Sequence, residues 1–123
     1  IFVGLIDQHA NSLDYAIGGH HPMPILVQGG AARSLGGRGM PIGLFEEPSF
    51  ERHQVELDEK FELFLFSDGI LEVLGGDNLD EKEQNLRTLC ERAGQTPEAI
   101  LQTVTAEVET QPDDVAVMMV SRR

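Results

Sequence analysis

The stretch FLFSDGILEV, residues 64–73, runs large apolar side chains into an Asp-Gly pair and then into what reads as a helix start. Taken from Phe61, FELFLFS is the most strand-like segment of the chain and apolar enough to be buried in a sheet. A carboxylate at the mouth of such a strand is either turn chemistry, since Asp and Gly both favour turns, or a ligand. The same choice arises near the other end of the sequence, where QPDDVAVMMV (111–120) sets Asp113 and Asp114 at the beginning of a final buried strand, VAVMMVS. If these two strands are antiparallel neighbours, Asp68 and Asp113 reach the same edge of one sheet. Two carboxylates held close repel unless protons or cations sit between them, and oxygen ligands at a site that keeps waters favour Mg²⁺ or Mn²⁺.

Working outward, IFVGLID reads as a buried strand, QHANS as a turn, LDYAIGG as a second strand with Leu13, Tyr15 and Ile17 alternating, and ILVQ as a short third. A glycine-rich connection of about twenty residues, GGAARSLGGRGMPIGLFEEP, follows; connections this long in a compact domain are usually functional or mobile. Residues 50–57 alternate polar and apolar, as a half-exposed strand does. Asn78 with Glu81 resembles a capping box, and Leu79, Leu86, Leu89, Cys90 and Ala93 share a face of a helix ending at Gly94. Thr96 and Pro97 open another helix, with Ile100, Leu101, Val104 and Val108 on one face. The expected order is three strands, a loop, two strands, two helices and a strand.

The chain's 123 residues fit a single domain, with 21 acidic against 9 basic residues and a net charge of −12. Such an excess repels phosphate backbones, so nucleic acid is not an expected partner. Ten acids and two lysines fall between Glu56 and Asn85. No apolar run approaches the roughly 20 residues that cross a bilayer, and no basic lead or cleavage site opens the sequence. The one cysteine, Cys90, fits a reducing cytoplasm and reads as core. The chain reads as soluble and cytoplasmic, without a membrane partner, and its start on Ile1 in strand-like sequence reads as a piece of something longer.

Several familiar sites are ruled out. GGAARSLGGRG lacks the GK[ST] of a P-loop. Adjacent His20 and His21 point opposite ways on an extended chain and have no third ligand at zinc spacing. Ser67 lies outside a G-x-S-x-G elbow, and a cysteine-phosphatase loop at Cys90 would need an Arg where Thr96 stands.

The surviving motifs carry a resemblance. LFLFSDGILEV resembles the aromatic-T/S-D-G-hydrophobic-x-E segment of the metal-dependent serine/threonine phosphatases of the PP2C group, in particular their bacterial SpoIIE-like branch. QPDDVAVMMV is similar to the closing D-D-hydrophobic-T-hydrophobic strand of that group. LDYAIGGHHPMPILV resembles its G-H-x-P segment, and GMPIGLFEEPSFERHQVEL its P-x-G-hydrophobic stretch. The four lie in family order across nearly the whole chain.

The resemblance implies an α+β fold, a PP2C-like sandwich of two antiparallel sheets flanked by helices, of which residues 1–123 form the C-terminal part. It implies metal binding and catalysis at Asp68 and Asp113, with Gly69 and Asp114 shaping the site, and two Mn²⁺ or Mg²⁺ ions holding a bridging water that attacks phosphoserine or phosphothreonine. The family's earlier D-G-x-G motif is absent, so residues outside this chain must complete the site. Ala116 stands where the closing motif usually has Thr.

Two functions follow from the resemblance. One is a protein phosphatase acting on a phosphorylated protein in bacterial signalling, as the output of a response regulator or a regulator of anti-sigma antagonists. The other is a catalytically inactive adaptor that binds a sigma factor or an anti-sigma antagonist, as in response regulators of the sigma-factor adaptor kind. Retention of both Asp68 and Asp113 favours the enzyme. Homodimerisation is among the expected assemblies, because missing strands would leave apolar faces and sheet edges open. An unrelated α+β domain with turn aspartates is the third reading.

Overall fold

The structure, a computed structural model, describes residues 1–123 apart from 93, 107 and 110–112. The apolar segment ahead of Asp68 forms β6 (Phe61–Phe66), an inner strand of a four-stranded antiparallel sheet. Its neighbours are β3 (Ile25–Gln28) and β7 (Val117–Arg122), and β4 (Ala31–Ser34) is the edge strand beyond β3. An inner strand with both faces covered must be apolar on both, and β6 is: Phe64 and Phe66 face the helices, while Phe61 and Leu63 face the second sheet. That sheet has the order β1 (Phe2–Asp7), β2 (Ser12–Ile17), β5 (His53–Glu56). Leu13, Tyr15 and Ile17 of β2 point into the sandwich, where they meet Leu26, Phe61 and Leu63. The expected pair of antiparallel sheets with flanking helices is therefore the observed architecture.

The helices are α1 (Ile70–Val73), α2 (Leu79–Glu91) and α3 (Pro97–Thr105). Leu86, Leu89 and Cys90 of α2 and Ile100 and Val104 of α3 bury Ile25, Val27, Phe64 and Phe66 on the outer face of the four-stranded sheet. Asn78 caps α2 by accepting from the Glu81 amide at 3.0 Å. The return bond goes from the Asp77 amide to Glu81, one residue earlier than a standard capping box. Thr96 caps α3 at the Ala99 amide, 3.2 Å, with Pro97 in the first turn. Burial, and then the nearby carboxylates of Glu62 and Glu91, push the Cys90 thiol up to about 12, the mark of an inert core cysteine.

Four expectations need correction. The glycine-rich connection is interrupted by β4, because Gly29 and Gly30 adopt φ of 59° and 78° and make a two-residue turn back along β3. The last strand begins at Val117, beyond Asp113, Asp114 and Val115, and like β1 it is a partly exposed edge strand and not a buried one. α2 stops at Glu91 before Gly94, and its Leu79, at the first turn, is exposed; Ala93 lies outside the described residues. α3 ends at Thr105, short of Val108.

The two ends of the sandwich are distinct. Arg122, at the end of β7, donates to Asn11 in the β1–β2 turn (2.9 Å) and to the carbonyls of Asp58 and Glu59 in the β5–β6 link (both 2.6 Å). Those turns share one end. The opposite end carries residues 67–69, 113–116, the 18–24 loop and the long 35–52 connection, as the strand registers require.

Both sheets are open on the same side. β1 and β7 are edge strands, and between them lies an apolar cavity of about 220 Å³ lined by Phe2, Gly4, Ile6, Leu63, Met118 and Val120. Leu5 of β1 is 69% exposed on the outer face. Unpaired apolar edges associate. The 1–123 polypeptide produced alone is therefore expected to self-associate, and Leu5→Lys to weaken that association; sedimentation velocity across a concentration series measures both, and a concentration-independent monomer is the contrary result.

Candidate functional site

β6 and β7 are antiparallel with Phe66 opposite Val117. Asp68, two residues beyond β6, and the 113–116 segment leading into β7 consequently arrive at the same end of the same sheet. The Ser67 amide donates to the Ala116 carbonyl at 3.0 Å, continuing the ladder by one rung. The rung's second half is different. The Ser67 carbonyl accepts from the Ile70 amide (3.2 Å) as α1 begins, so the Ala116 amide turns to the Ser67 hydroxyl, 2.8 Å away. That hydroxyl in turn donates to the Asp114 carbonyl at 3.1 Å. A single side chain thus ties the Asp68 turn to the Asp113–Asp114 segment.

Gly69 completes the junction. It is buried, and its φ of −54° is open to any residue, so its backbone angle does not demand glycine. Space does: a Cβ added there would run into the carbonyl oxygen of Asp114. Asp113 accepts from the Asp114 amide through its own Oδ1 at 2.8 Å, which fixes the side-chain direction. Asp68, Asp113 and Asp114 are all exposed. The four residues expected to make a site, Asp68, Gly69, Asp113 and Asp114, are brought together; Gln111 and Pro112 of the same motif lie outside the described residues.

Carboxylate oxygens suit a hard divalent cation in type. In number they fall short: among the described residues no three His, Cys, Asp or Glu side chains form a group that could hold a metal ion. His21 faces Glu83 across 3.8 Å. Ser67 was not among the expected site residues. Its signal in the sequence was slight, a hydroxyl between the last strand residue and the Asp-Gly pair.

The family model for stage II sporulation protein E (SpoIIE) matches residues 1–123. The chain belongs to the SpoIIE family. No curated protein matches it. Among solved structures it is similar to the phosphatase domain of the cell fate determinant SpoIIE from Bacillus subtilis, with a TM-score of 0.74 and 16% identity over 99% of this chain and 57% of that one. The same domain presoaked with manganese matches with a TM-score of 0.73 and 16% identity over 98% and 55%. The RsbU and RsbW domains of a Mycobacterium tuberculosis protein match at 0.78 and 22% identity, over 98% of this chain and 35% of that one. The SiaA-PP2C domain of Pseudomonas aeruginosa matches at 0.72 and 19%, over 99% and 50%. At these identities the likeness shows the PP2C fold. The chain spans about half the length of the two phosphatase domains and about a third of the mycobacterial chain. Among the described residues no helix is long and apolar enough to cross a membrane.

The junction predicts two stability effects, read as shifts of the urea midpoint. Ser67→Ala removes both hydrogen bonds of the hydroxyl at an exposed junction, where water can take over the Ala116 amide, and is expected to cost about 0.5–1.5 kcal/mol, with Ser67→Thr retaining most of the stability. Gly69→Ala forces the 113–116 segment away and is expected to cost about 1–3 kcal/mol. A Gly69→Ala protein as stable as the parent would mean that this segment retreats freely.

Proposed function

We propose that residues 1–123 are the C-terminal part of a PP2C-like protein serine/threonine phosphatase domain, a cytoplasmic signalling output in which Asp68 and Asp113 hold Mn²⁺ or Mg²⁺. The observation that carries the reading is the junction itself. Two exposed aspartates from segments remote in sequence are fastened at one end of the sheet by Ser67 and by the glycine-only contact at Gly69. Turn chemistry alone would not require the two turns to be bonded to each other. Membership of the SpoIIE family supports the reading, and the half-length match to the phosphatase domains agrees with further ligands lying outside this chain.

In this reading Asp68 and Asp113 supply anionic oxygen ligands from two sides, and Gly69 lets the two backbones approach closely enough for both to serve one site. Ser67 and the Asp113–Asp114 amide bond hold the carboxylates in place before the cation arrives, so little ordering is left to be done on binding. The bound ions would neutralise charge on the transferring phosphoryl group and lower the pKa of the attacking water. The partner is a phosphorylated protein.

The test is made on the complete protein. Asp68→Asn and Asp113→Asn should each lower Mn²⁺-dependent hydrolysis of a phosphothreonine peptide by on the order of 10²-fold or more while the far-UV spectrum and thermal midpoint stay near those of the parent. A parent without metal-dependent turnover that binds a sigma factor or anti-sigma antagonist tightly would establish the adaptor instead. Asn variants that retain full turnover would remove Asp68 and Asp113 from the metal site.

A further inference from the structure

Among the described residues, half of the large apolar side chains that stand exposed fall within residues 40–50. Leu44 is 73% exposed, Ile42 59% and Phe45 51%, and Met40 and Phe50 are exposed as well. Scattered exposed apolar residues are ordinary on any surface, whereas a contiguous group of this kind marks a contact.

The segment is fastened and not left to wander. Gly39 pairs with Phe50 in an antiparallel bridge, and the amides of Met40 and Glu51 donate to Ser49 (3.4 Å) and Arg38 (3.3 Å). The base of this ribbon lies directly on the end of β2: a Cβ on Gly39 would run into the Ile17 carbonyl, one on Gly19 would meet Pro41 at 2.9 Å, and one on Gly18 would meet Phe50 at 3.0 Å. The ribbon is tied at both sides of its base, and Leu44 and Phe45 stand out in solvent at its tip. Apolar surface left in water is unfavourable, and a partner that covers it recovers that loss.

We infer that the ribbon 38–51 is a docking surface for the phosphoprotein substrate, which offers it apolar side chains edged by cations. The inference rests on the phosphatase reading for the identity of the occupant. Two observations choose that occupant. The ribbon enters β5 and leaves β4 at the same end of the sandwich as Asp68 and Asp113, so a chain lying across this end can engage both. Its tip carries Glu46 and Glu47 beside Leu44 and Phe45, on a protein of net charge −12, which repels an anionic lipid surface and attracts lysine or arginine at the rim.

The test uses the complete protein and a synthetic 20-residue phosphothreonine peptide carrying Leu, Phe and Lys on one side of the phosphate; extended, it spans at most about 70 Å, enough to cross the end of the domain. A control peptide has the Leu and Phe replaced by Ser. Affinity is read by fluorescence anisotropy, turnover by phosphate release, and p-nitrophenyl phosphate serves as the substrate too small to dock. Leu44→Glu and Phe45→Glu are expected to weaken binding of the apolar peptide tenfold or more, to leave the control peptide's binding within twofold, and to leave p-nitrophenyl phosphate turnover unchanged. Unchanged affinity for the apolar peptide overturns the proposal, as does an equal loss with both peptides. A changed sedimentation coefficient with unchanged peptide affinity assigns the ribbon to a second copy and likewise overturns it. If the parent hydrolyses neither substrate the phosphatase reading fails, and the anisotropy arms still decide whether the ribbon docks an apolar, basic chain.

Discussion

The candidate site depends on one side-chain hydroxyl. Where β6 gives way to α1, the Ser67 carbonyl is claimed by the Ile70 amide, and the ladder to β7 would end with an unpaired Ala116 amide. The Ser67 hydroxyl takes the place of the carbonyl and donates onward to Asp114. A hydrogen bond of this kind contributes about 1 kcal/mol, and the two that the hydroxyl makes join the two turns directly. Asp68 and the Asp113–Asp114 pair inherit their relative positions from it.

The rest of the fold supplies the rigidity behind that junction. β6 is packed on both faces, by helices through Phe64 and Phe66 and by the second sheet through Phe61 and Leu63, so the strand that ends at Asp68 has no freedom to shift register. At the other end of the sandwich Arg122 bonds three residues in two separate segments and stacks over Phe61, 5.5 Å to the ring centre. Fixing one end of β7 through Arg122 and the other through Ser67 leaves the exposed carboxylates as the part of the sheet that faces solvent. The open side between β1 and β7 lacks comparable cover.

Much of this was legible in the sequence, for identifiable reasons. FELFLFS and VAVMMVS are apolar runs long enough for strands, and their pairing followed from placing an aspartate motif at the end of one and the start of the other. The caps at Asn78 and Thr96 were legible because capping is local chemistry. β4 was not, because Gly29-Gly30 reads equally as the start of a loop or as a two-residue turn, and only the positive φ at both distinguishes them. Ser67 was missed because its role depends on a competitor, the Ile70 amide, that the strand pattern does not reveal. The 38–51 ribbon was missed as a surface because Ile42, Leu44 and Phe45 look like any core residues in the sequence; their exposure follows from close backbone contacts at Gly39 and Gly19.

The central claim is that Asp68 and Asp113 are two walls of one cation site. Diffraction from crystals of the complete protein equilibrated with saturating manganese, recorded at the manganese absorption edge, addresses it directly. The account predicts an anomalous peak within coordination distance of about 2.0–2.3 Å from a carboxylate oxygen of each aspartate, or a pair of ions bridged between them. A manganese ion bound elsewhere, or none at this end of the sheet, would contradict it.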